Sequence, residues 1–288
     1  MTKNLTISAL LADSAALLAA GDADSPHLDA ELLLAHVLGQ GRARLKSHPE
    51  TVPDAAARSR YAELVLRRAA GEPLAYLLGS KGFWTLTLAV TPAVLIPRPE
   101  TELLVERALA LRPEPTGLVV DLGTGSGAIA LALASERPQW QITATDASNE
   151  ALAVARANAA SHAPARVGFV LGSWFEPLAE RRFDLVVSNP PYIGAEEPEL
   201  RSPALLREPR SALSPGADGL ACLRAIVQDA PFHLEQGGWL LLEHGSTQAA
   251  DVTRELVARG FRHVRSHRDL GGHERMTEAQ WADPPQSR

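Results

Sequence analysis

The sequence predicts an α/β fold, with a mostly parallel sheet wrapped by helices, preceded by a small helical bundle. From about residue 99 onward, short apolar runs alternate with stretches of helical length, which is typical of a parallel sheet covered on both faces. From Ile7 to Tyr76, leucines and alanines instead recur at spacings of three and four residues. This spacing indicates helices without strands.

The composition favours a globular protein of a reducing compartment. The 288 residues, 45% of them hydrophobic, can bury one large core and a smaller companion. The single cysteine, Cys222, excludes internal disulfides and cysteine-rich metal centres, and no metal site is predicted. The net charge of -6 is spread along the chain, which disfavours a large nucleic-acid footprint. Because no run approaches the ~20 apolar residues that span a bilayer, we expect a cytoplasmic location.

The order of these patterns predicts two domains joined by a linker. Residues 1–76 form the helical domain, and residues 77–98 form a hairpin linker, because Gly82 to Ile96 alternate with the two-residue period of strands. Residues 99–288 form the α/β domain. Its strand candidates are Leu118–Leu122, Gln141–Thr145, Arg166–Leu171, Leu185–Ser188 and Trp239–Glu243, and the helices between them include Ala128–Glu136 and Asn149–His162.

A glycine-rich turn joins the first strand of this domain to the next helix, with the sequence Gly123-Thr124-Gly125-Ser126-Gly127. Glycines allow a tight turn and let a ligand approach the backbone amides closely. Asp146 follows about twenty positions later, at the end of the next strand, where a carboxylate can accept hydrogen bonds from both hydroxyls of a ribose. Together they predict a site for an adenosine-containing cofactor, although the loop alone also fits nicotinamide dinucleotides.

Asp121 narrows the choice of cofactor. It precedes the turn, where its carboxylate could orient the loop amides or meet a cationic group of the cofactor. A sulfonium and its amino group are attracted to a nearby carboxylate, whereas a pyrophosphate is repelled. The second of these roles therefore favours S-adenosylmethionine.

The segment Asn189-Pro190-Pro191-Tyr192 follows an apolar strand and predicts the chemistry. The two prolines restrict the backbone, so its carbonyl groups are aimed in advance. The side-chain oxygen of Asn189 and the carbonyl of Pro190 could each accept one N–H of a target NH2 group, which turns the nitrogen lone pair toward a methyl group. Tyr192 offers a flat face for a planar amide or base. We therefore predict methyl transfer to the nitrogen of a planar amide or amine.

Over nearly its whole length the chain resembles the peptide-chain release factor glutamine N5-methyltransferases, the PrmC or HemK family. Beyond the two motifs above, the resemblance rests on Leu95-Ile96-Pro97-Arg98-Pro99-Glu100-Thr101-Glu102, Glu208-Pro209 with Ala212-Leu213, Asp218-Gly219-Leu220 and Leu242-Glu243-His244-Gly245. It implies a helical N-terminal domain, a hairpin hinge, and a Rossmann-like class I methyltransferase domain with a seven-stranded, mostly parallel sheet.

The resemblance also implies a role for each motif. Gly123 to Gly127 would cradle the methionine end of S-adenosylmethionine, Asp146 would bind its ribose and Trp174 would lie by its adenine. Asn189 to Tyr192 would hold the substrate glutamine, with Asn189 also touching the cofactor. The implied substrate is the Gly-Gly-Gln motif of class 1 peptide chain release factors. We expect a monomer without membrane or direct nucleic-acid binding, whose N-terminal domain recognises the release factor.

Three other functions remain open from the residues alone. A DNA or RNA amino-methyltransferase faces the same chemistry at the exocyclic amines of adenine and cytosine, although the net charge and the helical N-terminal domain disfavour it. A dinucleotide-dependent oxidoreductase explains the glycine loop but gives Asn189 to Tyr192 no role. A binding module that keeps the cofactor fold without catalysis is the third.

Overall fold

The computed structural model describes residues 5–21, 23–162 and 167–282. The chain divides into two compact units between Gly79 and Ser80. Arg166, where one predicted strand begins, lies outside the described residues.

The first unit is helical, as its three- and four-residue spacings predict. Its core is built mainly from leucines, among them Leu18, Leu33 and Leu45. A partly buried ion pair joins two of its helices, with Arg68 Nε 2.7 Å from Asp29 Oδ2. Its helices are α1 (Ile7–Ala20), α2 (Pro26–Leu38), α3 (Arg42–Ser47), α4 (Ala55–Ala69) and α5 (Leu74–Leu78).

The second unit begins with a short hairpin of two antiparallel strands, β1 (Ser80–Phe83) and β2 (Leu86–Ala89). The strands are shorter than the alternation from Gly82 to Ile96 predicts. The chain turns between the strands at Trp84, which has a left-handed φ of 54°, and the second strand ends at Ala89.

The rest of the second unit alternates strands and helices. None of the described helices is both long and apolar enough to cross a bilayer. The strands are β3 (Leu118–Leu122), β4 (Gln141–Asp146), β5 (Val167–Leu171), β6 (Phe183–Ser188), β7 (Leu234–Glu243), β8 (Arg262–Arg268) and β9 (Glu274–Gln280). The helices are α6 (Glu102–Leu111), α7 (Ala128–Glu136), α8 (Asn149–His162), α9 (Ala221–His233) and α10 (Ala249–Arg259).

These seven strands form one sheet in the order β5-β4-β3-β6-β7-β9-β8. The first five in this order are parallel, and β9 runs antiparallel to both of its neighbours. The predicted mostly parallel α/β sheet is therefore confirmed. The strand order reverses between β3 and β6, and such a switch point opens a crevice beyond the carboxyl ends of the two strands.

Two apolar layers cover the two faces of the sheet. Because successive side chains of a strand point to opposite faces, Val119 lies in one layer and Val120 in the other. Helices α6 and α7 pack on the first face, and α9 and α10 pack on the second. Every residue from Ala128 to Ala134 is buried, so α7 has no solvent-facing side over that stretch.

The sequence analysis assigned no strand to the segments that form β8 and β9. β8 is rich in arginine and histidine, and its side chains are mostly exposed or half-buried. β9 is buried, but the carboxylate of Glu278 lies inside it and pairs with Arg107. Because polar residues interrupt both runs, an apolar pattern does not reveal them.

Candidate active site

The glycine-rich turn stands at the carboxyl end of β3 and leads into α7. Gly123, Gly125 and Gly127 have φ angles of 70°, 57° and 85°, in the left-handed region that favours glycine. A Cβ atom on Gly123 would lie 3.1 Å from the Trp174 ring, whereas one on Gly125 would meet nothing within 4 Å. The backbone at Gly125 therefore lies open to a ligand.

The buried carboxylate of Asp121 supports this turn through two hydrogen bonds. Oδ2 of Asp121 accepts a hydrogen bond from the Thr124 hydroxyl at 2.7 Å and from the Ala130 N–H at 3.2 Å. Burial raises the pKa of Asp121 to about 7. Asp121 is fully buried and does not line the cavity in front of the loop. Of the two roles considered from the sequence, this geometry fits the orientation of the loop amides.

A cavity of about 520 Å³ lies in front of the turn. Asp146 and Trp174 line it together with the loop residues Thr124 and Ser126. Gly127 does not line it, since a Cβ there would face Leu131 and Ala155 in the core. The predicted cofactor-binding residues other than Gly127 therefore all line this cavity, and they are Gly123, Thr124, Gly125, Ser126, Asp146, Trp174 and Asn189.

Asp146 is the last residue of β4 and lines the cavity, and its carboxylate is hydrogen-bonded to the glycine-rich turn. Its Oδ2 accepts the Gly125 N–H at 2.8 Å, and its Oδ1 accepts the Ser148 N–H at 2.9 Å. A carboxylate has about four acceptor positions, so both oxygens can still accept from a ligand hydroxyl. Trp174 is half-buried and has a left-handed φ of 45°. Its side chain packs against the core and also lines the cavity.

The Asn-Pro-Pro-Tyr segment begins directly after β6. Leu122 and Ser188 are register partners, and the Ser188 hydroxyl donates to the Leu122 carbonyl at 2.7 Å. The glycine turn and the Asn-Pro-Pro-Tyr segment therefore start side by side, at the switch point of the sheet. Asn189 lines the first cavity and also a second one, of about 290 Å³, which is lined by Pro190 and Tyr192 as well.

The side-chain amide of Asn189 is hydrogen-bonded to the protein through its nitrogen. Nδ2 donates to Oγ1 of Thr101 at 3.1 Å. Thr101 is 4% exposed and belongs to the segment that precedes α6. No hydrogen bond to the oxygen of the same amide is formed among the described residues, so this oxygen remains available as an acceptor.

Tyr192 is held at both its side chain and its backbone. Its hydroxyl donates to Oε1 of Glu243 at 3.3 Å, and its carbonyl accepts from Nε2 of Gln248 at 2.8 Å. Burial raises the pKa of Glu243 to about 7, and the hydrogen bond from the Tyr192 hydroxyl opposes this rise. Burial and the adjacent Glu243 also raise the pKa of Tyr192, so its hydroxyl stays protonated at neutral pH.

The buried carboxylate of Glu208 holds Arg98 at the edge of the site. Oε1 of Glu208 is 2.5 Å from Nη2 of Arg98, and its Oε2 accepts the Ile96 N–H at 3.0 Å. Arg98 lines both cavities. This ion pair ties together two motifs that carried the resemblance and lie more than a hundred residues apart in the chain.

Asn158 connects the hairpin to the glycine turn. It is 2% exposed on α8. Its Oδ1 accepts the Ala89 N–H at 2.7 Å, while Nδ2 donates to the carbonyls of Ala89 at 3.0 Å and Ser126 at 2.9 Å. Neither Asn158 nor Gln248 could be identified as a supporting residue from the sequence, because a lone amide in a helical stretch carries no distinctive pattern.

Two family models match the two units of the chain separately. Residues 9–79 match a family model described as the PrmC N-terminal domain, and residues 99–220 match one described as the methyltransferase small domain. A release factor glutamine methyltransferase of Pseudomonas aeruginosa is 50% identical over 277 residues, covering 96% of this chain and 99% of that protein.

The chain belongs to the release factor glutamine methyltransferase family. The family member of Coxiella burnetii is 47% identical over 256 residues, 88% of this chain and 92% of that protein. The resemblance stated from the motifs is therefore confirmed.

Solved structures show the same methyltransferase fold at low sequence identity. A methyltransferase of Pyrococcus furiosus superposes with a TM-score of 0.54 at 18% identity, covering 78% of this chain and 99% of that one. A 16S rRNA methyltransferase of T. thermophilus, in complex with AdoMet and guanosine, gives a TM-score of 0.53 at 21% identity over 70% of this chain and 49% of that one. These likenesses establish the fold of the second unit and nothing finer.

Proposed function

We propose that the enzyme methylates the side-chain amide nitrogen (N5) of the glutamine in the Gly-Gly-Gln motif of class 1 peptide chain release factors, with S-adenosylmethionine as methyl donor. The observation that carries this proposal is the position of Asn189. Asn189 lines both the glycine-loop cavity and the second cavity, and among the described residues its amide is hydrogen-bonded through its nitrogen alone. The names of the relatives supply the substrate class.

The residues of the first cavity fit S-adenosylmethionine. The backbone of Gly125 is open, Asp146 keeps acceptor positions for a ribose, and Trp174 offers an aromatic surface for an adenine. When bound, this cofactor supplies an electrophilic methyl group for an in-line displacement. We assign the glycine loop, Asp146 and Trp174 to holding it there.

The protein's own contribution to the chemistry is orientation. The lone pair of an amide nitrogen is delocalised into its carbonyl, so the nitrogen is a weak nucleophile. Oδ1 of Asn189 and the carbonyl of Pro190 each accept one N–H of the substrate amide, which turns the nitrogen toward the first cavity. The same two acceptors stabilise the positive charge that develops on nitrogen as its bond to the methyl carbon forms, and the methylated nitrogen then releases one proton to water. Tyr192 lines the second cavity, where a planar amide can rest against it.

The decisive experiment is mass spectrometry of a purified class 1 release factor after incubation with the enzyme and S-adenosylmethionine. We expect one added methyl group on the Gly-Gly-Gln glutamine and none on a Gly-Gly-Ala variant. Unmodified wild-type release factor would reject the proposal. Labelled cofactor with DNA and RNA would then test the amino-methyltransferase alternative.

We also propose that the first unit recognises the release factor, in the cytoplasm, with the enzyme acting as a monomer. Deleting residues 1–76 is expected to raise KM for the intact release factor at least tenfold while a Gly-Gly-Gln peptide is still methylated. Activity on the peptide serves as the control that the truncated enzyme is folded. An unchanged KM for the intact protein would contradict this role.

A further inference from the structure

The side chain of Gln248 joins two segments that line the second cavity. Its Nε2 donates to the Tyr192 carbonyl at 2.8 Å, and its Oε1 accepts the Gly245 N–H at 2.9 Å. Tyr192 belongs to the Asn-Pro-Pro-Tyr segment, whereas residues 245–247 lie between β7 and α10. Both segments line the second cavity. One amide therefore links two parts of the cavity lining that are far apart in the chain.

The backbone groups at its two ends fix the direction of this link. A peptide N–H can only donate and a peptide carbonyl can only accept. The oxygen of the Gln248 amide must therefore face Gly245, and its nitrogen must face Tyr192. The reversed amide would lose both hydrogen bonds and set two acceptor oxygens against each other. Because Gln248 is 8% exposed, water does not readily replace the lost partners.

The helix that follows does not account for this side chain. Gln248 is the N-cap residue of α10, and its carbonyl accepts the Val252 N–H at 3.0 Å, but its side chain forms no capping hydrogen bond. Serine, threonine, aspartate and asparagine are the residues that cap helices well, and glutamine is not among them. The Gln248 N–H also donates to the Gly245 carbonyl at 3.0 Å, so residues 245–247 form a closed turn. The side chain is left to hold the Asn-Pro-Pro-Tyr segment.

Two further contacts make the link rigid. A Cβ atom on Gly219 would lie 2.7 Å from Nε2 of Gln248 and 2.5 Å from the Tyr192 carbonyl oxygen, so the backbone of Gly219 packs directly against their hydrogen bond. The hydroxyl of Tyr192 donates to Oε1 of Glu243 at 3.3 Å. Tyr192 is thus bound at its backbone and at its ring to the single stretch of residues 243–248.

We propose that Gln248 is a positioning residue for the substrate amide, because it fixes the spacing between the Asn-Pro-Pro-Tyr segment and residues 245–247. This inference rests on the proposed function, which assigns the second cavity to the substrate glutamine. A cavity whose lining segments are not joined holds a planar amide in several orientations, and only one of them turns the nitrogen toward the methyl group. Gln248 acts through Tyr192, since the oxygen and the nitrogen of its own amide are both bonded to backbone groups.

Gln248→Met tests the link with little change of shape. Methionine keeps the unbranched length of the side chain but forms neither hydrogen bond. We expect kcat/KM for the release factor to fall on the order of tenfold to a hundredfold, with the dissociation constant of S-adenosylmethionine within about twofold of wild type. The matched control is Gln280→Met, which removes the same kind of bond, from Nε2 to the Gly237 carbonyl at 2.8 Å, at a half-buried position of β9 that lines neither of the two cavities.

Gln248→Glu adds a readout that depends on pH. As a carboxylate, the new side chain accepts the Gly245 N–H but sets a bare oxygen against the Tyr192 carbonyl, whereas the protonated acid donates its O–H there. The ratio of its kcat/KM to that of wild type is therefore expected to rise at least about threefold from about pH 8.5 to about pH 6, as the donor returns. The ratio for Gln248→Met should stay constant. Glu243 and the other ionisable groups around the cavity are common to all three enzymes, so their own titration cancels in these ratios.

Hydrogen exchange at the Gly245 N–H reports the link without turnover. In the 15N-labelled full-length enzyme, we expect slow exchange in wild type and in Gln248→Glu, which keeps the acceptor oxygen. Exchange should be on the order of tenfold faster in Gln248→Met, which offers no acceptor to this N–H.

The outcomes separate this inference from the proposed function. Wild-type kcat/KM in Gln248→Met would overturn the positioning role, and an equal fall in Gln280→Met would overturn it by assigning the loss to stability. A constant ratio for Gln248→Glu across the pH range would show that the hydrogen bond to Tyr192 does not position the substrate. A wild-type enzyme that leaves the release factor unmethylated would reject the proposed function, while the exchange of the Gly245 N–H would still decide the link.

Discussion

The two halves of the candidate site are held in different ways. The glycine turn is supported from nearby in the chain, by Asp121 just before it and by Asp146 at the end of the adjacent strand. The Asn-Pro-Pro-Tyr segment is supported by side chains far away in sequence, namely Thr101, Glu243 and Gln248. In the first half the backbone is the binding element, whereas in the second half a few side chains are.

The difference follows from the task of each half. Backbone amides that surround a cofactor need a particular chain path, and glycines with left-handed φ angles supply it locally. A single amide side chain has to be turned the right way round, and only partners of the correct hydrogen-bonding type can do that. Substitutions should therefore affect cofactor affinity in one half and turnover in the other.

The largest effect is expected from Asn189→Ala. Removing the acceptor should lower kcat on the order of a hundredfold to a thousandfold, because the interaction strengthens as charge develops on nitrogen. The dissociation constant of S-adenosylmethionine should change by less than about threefold, since the glycine loop is untouched. Single-turnover methylation and calorimetry measure the two quantities. Asn149→Ala, an exposed residue at the start of α8, is the control, and normal turnover in Asn189→Ala would contradict the mechanism.

Gly219→Ala is expected to affect stability most. Gly219 has a φ of 70°, and a Cβ there would lie 2.5 Å from the Tyr192 carbonyl oxygen and 2.7 Å from Nε2 of Gln248. We expect a loss of about 2–4 kcal/mol in the free energy of unfolding, from overpacking and backbone strain together. Gly272→Ala isolates the strain, because Gly272 has a φ of 83° with nothing within 4 Å. Equal losses in the two variants, measured by urea unfolding, would show that the close approach is unimportant.

The carboxylate below the glycine turn should make stability depend on pH. Burial raises the pKa of Asp121 from 3.8 to about 7, and the nearby charge of Asp146 adds to the rise. Between these values the unfolded chain loses a proton that the folded protein keeps. Stability should therefore fall as the pH rises from about 4 to 7, with a slope on the order of 1 kcal/mol per pH unit from this group.

Asp121→Asn removes the titration and keeps an acceptor for Thr124 and Ala130. Its stability is expected to fall less between pH 5 and 7 than that of the wild type. Asp229→Asn, at an exposed position of α9, is the control. Identical slopes for wild type and Asp121→Asn in denaturant titrations would mean that Asp121 does not keep its proton.

Gly125→Ala should give the smallest effect, and one confined to the first half. The new Cβ would project into the space in front of the loop, and its left-handed φ of 57° adds strain. We expect about a tenfold weaker affinity for S-adenosylmethionine, with kcat at saturating cofactor within about threefold of wild type. Gly39→Ala carries similar strain, with a φ of 62° and nothing within 4 Å, but Gly39 is the residue that caps the end of α2 in the first unit. A fall in kcat without a change in affinity would invalidate the division between the two halves.

The alternation of apolar runs was enough to predict most of the parallel sheet, because a strand buried on both faces needs a continuous apolar run. β8 and β9 were not predicted, because each carries polar side chains. In the folded protein, strand pairing and partner side chains accommodate these polar groups. The turn of the hairpin could not be located from the sequence, because the left-handed conformation at Trp84 has no clear signal in a tryptophan side chain.

The sequence by itself predicted which two segments form the candidate site. Glycines, prolines and a carboxylate at fixed spacings restrict the backbone locally, so the turn at Gly123–Gly127 and the segment Asn189–Tyr192 can be read without a structure. Only the tertiary structure decided how Asn189 is oriented and what supports it. Thr101 and Glu243 lie far along the chain from the residues they hold, Asn189 and Tyr192 respectively. They meet only through the packing of the folded chain, which leaves no trace in local residue patterns.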